Sequence, residues 1–282
     1  MSITKLQVSL EQMEVGISGA VPSREEWSES AMDRGILEFV SLLSGLVLKY
    51  GGRIVHGSQP SFTPVILRQA RLHARGRDRT PVTLVVSDLW ARDWQEDDFD
   101  AVTDVADLVI TKSEGRKGFE DPQTRNLSLT KMRRVLAALQ NATVAVGGKQ
   151  HGKDGLSPGV EEEMRLAKER NLPRFLIGGL GGNSKKLARR LAPEALDNHL
   201  SRKSNITLLR TRDVSASVNV LFEHMSMSDQ LRDSVRAPCV WSQKMGAIVD
   251  PKSQDVQEEI SECVLRFVPS RYQSSSGGLR LL

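Results

Sequence analysis

NATVAVGGKQHGKDGLSPGVEEEMRLAKERN, residues 141–171, decides the fold. It opens with a short β-branched apolar run, NATVAVGG (141–148), that ends on two glycines. A basic loop follows, KQHGKDGLS (149–157), and Pro158 then begins a helix, PGVEEEMRLAKERN. Proline suits the first turn of a helix, and acidic residues there complement the positive end of the helix dipole. The unit is therefore strand, glycine-rich exit, helix.

The same alternation recurs on both sides. Upstream, EVGISGA (14–20) reads as a strand with its exit loop. Ser23 and Glu26 form a capping-box pattern opening a helix that runs to about Tyr50 and buries Ile36, Leu37, Val40, Leu43, Val47 and Leu48. GRIVHG (52–57) is a second strand, and Thr63 and Pro64 are N-cap and N1 of a helix reaching about Arg75. PVTLVVSDL (81–89) and ADLVITK (106–112) are the third and fourth strands. SEGRKGFEDPQTRN (113–126) reads as a mobile loop before a helix from Leu127 to Leu139. Downstream, RFLIGGLGG (174–182) is a sixth strand with a helix from about Ser184. NITLLRT (205–211) suggests a last strand and VSASVNVLFEHMS (214–226) a last helix. Strands separated by helices predict a Rossmann-like open parallel sheet with helices on both faces. Right-handed crossovers bring the strand C-termini to one edge, where such sheets bind ligands.

This core is expected to span 1–227. A small, mainly helical C-terminal extension over 228–269 would carry helices around 229–236 and 253–266. The Ser/Gly-bearing segment 270–282 reads as a flexible tail.

The chain has 282 residues, 39% apolar and 26% charged, as in a globular protein. No apolar run reaches the ~18–20 residues that cross a bilayer, and the first residues lack the pattern of a signal peptide. The two cysteines, Cys239 and Cys263, form neither a disulfide framework nor a metal motif, and they read as buried or incidental thiols. A cytoplasmic setting, no membrane, no metal and no cofactor are the corresponding expectations. The net charge of +4 favours anionic ligands. Nucleic acid is the weaker expectation: KKLARR (185–190), Arg202 and Lys203 are basic, but aromatic residues for base stacking make up only 5%. Trp90 and Trp94, four apart, suit packing on one helix face.

Four strand exits carry the candidate site. They are GISGAVP (16–22) with Gly16, Ser18 and Gly19; HGSQPSFTP (56–64) with Gly57 and Ser58; GGKQHGKDG (147–155) with Gly147, Gly148 and Lys149; and GGLGG (178–182) with Gly178 and Gly179. Glycine lets backbone amides approach an anion, and a following helix N-terminus adds its dipole. Lys149, with His151 and Lys153 in the same loop, would face phosphate. The carboxylates Glu161, Glu162 and Glu163 point about 100° apart, so only one or two face the crevice, with Glu162 expected nearer a sugar. Neither GxGxxG nor GxxxxGK[ST] is present, which disfavours a conventional NAD enzyme or P-loop NTPase.

These motifs resemble the SLOG superfamily, the Rossmann-like domains of the DprA/Smf and LOG proteins. The likeness is greatest to the LOG-like, lysine-decarboxylase-named clusters of bacterial conflict systems. The helix LTKMRRVLAAL (129–139), the strand ATVAVGG (142–148) and PGVEEE (158–163) follow in the order of the LOG arginine helix, strand and PGGxGTxEE motif. Gly147 and Gly148 match its first glycines and Gly159 the later one. Glu162 and Glu163 match its acidic pair, and Arg133 lies within about one position of its arginine. The turn is split here by an insertion containing Lys149 to Lys153, and Val160 stands at the threonine position. The resemblance implies a nucleotide-derived ligand, a homo-oligomer and, for a chain without an effector domain of its own, an effector partner. It implies either a sensor in a stress or anti-phage defence system, or a nucleotide N-glycosidase in which Arg133 orients the nucleotide and Glu162 or Glu163 activates water.

Overall fold

In the computed structural model, the described residues are 10–11, 13–22, 30–77, 79–115, 117–150, 158–227, 240–242, 247–249 and 254–271. The predicted helix start at Ser23, the residues His151, Lys153 and Cys239, the helix around 229–236 and the tail 272–282 lie outside them.

The chain runs β1 (Glu14–Ala20), α1 (Ser30–Lys49), β2 (Arg53–His56), α2 (Thr63–His73), β3 (Val82–Ser87), α3 (Asp88–Ala91), α4 (Glu96–Thr103) and β4 (Ala106–Thr111). It continues through α5 (Pro122–Leu139), β5 (Ala142–Gly147), α6 (Gly159–Glu169), β6 (Arg174–Ile177), α7 (Gly182–Ala188), a 3-10 turn (Pro193–Leu196), α8 (Arg202–Arg210) and α9 (Val214–Met227). The last elements are β7 (Val240–Ser242), β8 (Ala247–Val249), α10 (Gln254–Cys263) and β9 (Val264–Val268).

Six parallel strands and one antiparallel strand form a sheet of order β6-β5-β1-β2-β3-β4-β9. The fold is the Rossmann-like α/β arrangement expected. The chain lays strands outward from β1 to β4, returns through α5, and lays β5 on the other side of β1. The strand order therefore reverses between β1 and β5, where Ala20 is paired with Gly147. That reversal opens the crevice in which such sheets hold ligands.

Period-two alternation sends the two sides of each strand to different layers. Ile54, Leu84, Leu108 and Val144 pack with α1, α2 and α9, whereas Val55, Val85 and Val109 pack with α5 and α10. On the second face, β5 and β6 give Ala145 and Leu176 to a smaller cluster with Val160 and Met164 of α6. Each fully buried aliphatic or aromatic side chain contributes about 1.5–3 kcal/mol.

Four expectations are corrected. Residues 205–210 are helical rather than a strand: Ser201 caps α8 by accepting from the Ser204 amide at 3.1 Å, and Asn205 pairs with Asn198, so a short apolar run of ambiguous period is held as a helix. Residues 264–266 belong to a strand, because β9 turns directly out of α10 and pairs antiparallel with β4; the sheet is thus not wholly parallel and the extension not simply helical. The loop before α5 is shorter than 113–126. Asp121 caps the helix by accepting from the Thr124 amide at 2.8 Å, Pro122 takes N1, and the Glu114 amide donates to Ser128 at 2.9 Å. The helix containing Trp90 ends at Ala91, so Trp90 and Trp94 do not share a helix face. Among the described residues, no helix is long and apolar enough to cross a membrane.

Candidate functional site

At the reversal point the C-terminal tips of β1, β2, β3 and β5, the start of α6 and one side of α5 enclose a cavity of about 410 Å³. Ser18 and Gly19 come from β1, Gly57 and Ser58 from the β2 exit, Gly148 and Lys149 from the β5 exit, and Gly159 from the first turn of α6. Arg133 enters from α5 and Glu163 from α6. The strand tips are held in a fixed relation. The Gly148 amide donates to Ala20 at 2.7 Å, and the Asn183 amide donates to the Gly148 carbonyl at 3.0 Å. Gly19 and Gly148 have φ of +134° and +89°. A Cβ on Gly19 would lie 1.8 Å from the Val146 carbonyl oxygen, and one on Gly148 2.5 Å from the Val160 side chain. Only glycine makes these turns.

The three carboxylates of α6 diverge as helical geometry requires. Glu161 points outward and accepts from Arg190 at 2.6 Å. Glu162 accepts from Thr130 at 2.6 Å and from Arg133 Nη1. Glu163 turns into the cavity, with its Oε1 at 3.6 Å from Arg133 Nε. The expectation that Glu162 faces the ligand is corrected: Glu162 holds Arg133, and Glu163 is the acid that lines the cavity. Gly159 is small for a direct reason, since a Cβ there would stand 2.7 Å from Arg133 Nη2.

Burial pushes the Glu163 carboxyl above the ordinary glutamate range and the adjacent Glu162 adds to this, while Arg133 and the nearby Ser18 hydroxyl pull against it. Ser18 Oγ is itself buried in the cavity wall beside the Glu163 carboxyl.

The β2 exit is organised by a residue the sequence reading passed over. His56 is buried; its Nδ1 donates to the Ile17 carbonyl at 2.9 Å and its Nε2 accepts from the Gln59 amide at 3.2 Å. Both ring nitrogens are used by a neutral imidazole, and burial lowers its pKa from the ordinary 6.5. Ser58, at φ +53°, is held in the left-handed region with its hydroxyl donating to Val85 at 3.1 Å.

Three expected ligand-binding positions fall outside the cavity wall, and a fourth only supports it. Gly16 lies within β1, where a Cβ would overlap the Gln140 side chain at 1.4 Å. Gly178 and Gly179 lie against α8 and its exit, where a Cβ would come 2.6 Å from the Leu209 carbonyl and 1.6 Å from the Thr211 carbonyl, respectively. These glycines permit close backbone packing, and the sixth strand's exit turns toward α8. Gly147, at φ +64°, shapes the β5 turn without lining the cavity. Conversely, Trp90 and Trp94 line it while also packing against the core, as their sequence reading expected. Their place just beyond the tip of β3 was the sequence signal. Among the described residues no cluster of three or more potential metal ligands occurs.

The family model described as SLOG cluster2 matches residues 9–235. The chain belongs to SLOG cluster2. The match runs through every strand tip that builds the cavity, so in this SLOG cluster2 protein the site sits wholly within the family region. No curated protein matches the chain. Among solved structures, the X-ray structure of the structural-genomics target TM1055 is similar at 16% identity and a TM-score of 0.43, covering 74% of this chain and 98% of that one. The family and the fold together make this a nucleotide-related Rossmann-like protein.

Proposed function

We propose that the chain binds a nucleotide-derived anion in the cavity at the β1/β5 reversal and works as a ligand-responsive sensor. The observation that carries the reading is the convergence of the Ser18–Gly19, Gly57–Ser58 and Gly148–Lys149 tips, the α6 N-terminus and Arg133 on one cavity. Backbone amides and a helix dipole favour phosphate there. In this reading Glu163, beside Ser18, serves ribose hydroxyls, and the phosphate would be held by the backbone amides of the tips. The conflict-system members that the motifs resemble favour a role in bacterial stress or anti-phage defence. Ligand binding would then alter contact with a second copy of the chain or with an effector protein.

A second reading is nucleotide N-glycosidase activity. The observation favouring it is a cavity-facing acid with a raised pKa beside an arginine. An enzyme of this kind needs a carboxylate to stabilise an oxocarbenium-like state and to activate water.

One experiment tests both. The protein is screened by thermal shift against nucleoside mono- and diphosphates, ADP-ribose and cyclic dinucleotides, since a ligand that binds the native state raises the melting temperature. The mixtures are then chromatographed for free base. Stabilisation with intact ligand supports the sensor. Base release that is lost in Glu163→Gln replaces it with the glycosidase. No stabilisation and no release refutes both.

A further inference from the structure

Trp90 and Trp94 are arranged alike on the cavity wall. Trp90 meets Phe119 edge-on, with ring centroids 5.5 Å apart at 78°, and the Arg125 guanidinium lies 5.6 Å over the Phe119 ring. Trp94 meets Phe99 edge-on at 5.5 Å and 67°, and the Arg266 guanidinium lies 5.6 Å over the Phe99 ring. Each indole is therefore steadied from behind by a phenyl ring that is itself capped by a cation. Edge-to-face contacts of this kind fix ring orientation as well as adding burial. Both indoles pack partly against the core and keep an exposed part that lines the cavity.

The rest of the wall is chemically divided. Leu129 and Met132 of α5 give it apolar surface, whereas the amide-rich tips and Lys149 lie at β1 and β5. In the sheet, β3 is three strand positions from β5. At ~4.8 Å per strand the aromatic and amide-rich ends are about 14 Å apart. Trp94, Ser58 and Pro60 also line a second, adjoining hollow. The volume of about 410 Å³ is near the lower end of the roughly 300–1,000 Å³ of small-molecule sites.

We propose that the Trp90–Trp94 pair is a seat for a nucleobase, and that the cavity takes a single nucleotide lying lengthwise, base on the indoles at the β3 end and phosphate on the amides at the β1 and β5 tips. This rests on the nucleotide reading above and adds the ligand's size class and its orientation. Recognition by stacking is tolerant of base identity, because every base presents a π-face. The pair thus selects for the presence of a base, and a sugar phosphate lacking one loses that end of the site.

The test uses the full chain with Trp27 and Trp241 replaced by phenylalanine, so that of its four tryptophans only Trp90 and Trp94 emit. AMP, GMP, CMP, UMP and ribose 5-phosphate are titrated by fluorescence and by calorimetry. The nucleotides quench emission with the calorimetric affinity, and ribose 5-phosphate binds more weakly without quenching. Trp90→Leu and Trp94→Leu each weaken nucleotide binding by about 5- to 100-fold, the loss typical of one stacked base, and leave ribose 5-phosphate unchanged. Trp90→Phe and Trp94→Phe, which keep a ring, recover most of the affinity. If nucleotides bind without quenching and the leucine variants keep full affinity, the base seat is overturned while the anion site stands. Failure of every probe to bind overturns both. Binding of a cyclic dinucleotide in clear preference to all four mononucleotides overturns the single-nucleotide assignment.

Discussion

Arg133 Nε stands 3.6 Å from Glu163 Oε1, near enough to attract and too far to share a proton, while the same guanidinium is hydrogen-bonded to Glu162. The two acids of the EEE run that meet this arginine are thereby given separate tasks. Glu162 fixes the cation in place, and Glu163 is left with capacity to bind something else.

The first prediction concerns the Glu163 charge. Desolvation pushes its carboxyl above the ordinary glutamate range, although the side chain keeps 22% exposure toward the cavity. Ionised, it repels a phosphate-bearing ligand; protonated, it donates to one. Nucleoside monophosphate affinity should therefore rise as pH falls through that raised value, and Glu163→Gln should flatten the profile. The ligand's own phosphate ionisation contributes to both proteins alike, so their difference isolates Glu163. Calorimetric titration across about pH 5 to 8 measures it. Parallel profiles for the two proteins would remove Glu163 from the ligand's surroundings.

A second prediction separates the neighbouring acids by stability. Glu162 and Arg133 are each about nine-tenths buried, with side-chain exposures of 10% and 10%, and Thr130 also donates to Glu162. Glu162→Ala strands the guanidinium, which costs about 3 kcal/mol or more. Glu161 meets Arg190 at the surface, where the arginine side chain is 57% exposed, and Glu161→Ala should cost about 0–1 kcal/mol. Urea unfolding of the two variants gives the ordering, and equal losses would refute it.

Much of this fold could be read from the chain because each strand of the core is a short β-branched run and each exit carries glycine. Where local signals conflict, the sequence misleads. Asn205-Ile206-Thr207 looks like a strand, but Ser201 caps it and Asn198 pairs with Asn205, giving a helix. The glycines at 178 and 179 resemble those of the site, yet their role is set by α8 packing on them, a contact between distant segments that no local pattern encodes. The roles of Glu162 and Glu163 depend on where α5 presents Arg133, one helical step of α6 away from the expected choice. Trp90 and Trp94 were hidden by their spacing, since i and i+4 suggest one helix face and the helix ends between them.

A third prediction uses the backbone of the β1 tip. Gly19→Ala meets two obstacles, a φ of +134° and a carbonyl oxygen 1.8 Å from the new Cβ. The β1 tip must then move away from β5, so the variant should lose more than about 2 kcal/mol of stability and most of its ligand affinity. Gly76 is a matched control: its φ is +77°, but a Cβ there meets nothing within 4 Å. Gly76→Ala should cost only the left-handed penalty of about 1 kcal/mol and leave binding unchanged. Thermal melts and nucleotide titrations of both variants decide between strain alone and strain at the site.

The last prediction follows from the neutral imidazole under the β2 exit. His56 Nδ1 donates to Ile17 and Nε2 accepts from Gln59, so protonation would replace an acceptor by a donor facing an amide hydrogen. Burial holds its pKa below 6.5 in the folded chain. Below about pH 6.5 the unfolded state binds more protons at this residue than the native state, so stability falls as pH falls through that window. His56→Gln keeps one donor and one acceptor on a side chain that does not titrate. It should be less stable than the parent by about 1 kcal/mol near neutral pH, with the gap closing on acidification. His73 and His224, whose pKa values are also lowered by burial, are present in both proteins and cancel in the difference. The Gln59 amide anchors the Gly57–Ser58 wall of the cavity, so nucleotide affinity should hold through this window, in which native His56 stays neutral, and weaken in the parent only at the lower pH where the folded imidazole itself protonates. A stability gap that stays constant down to about pH 5 would mean that His56 is not held neutral by the fold.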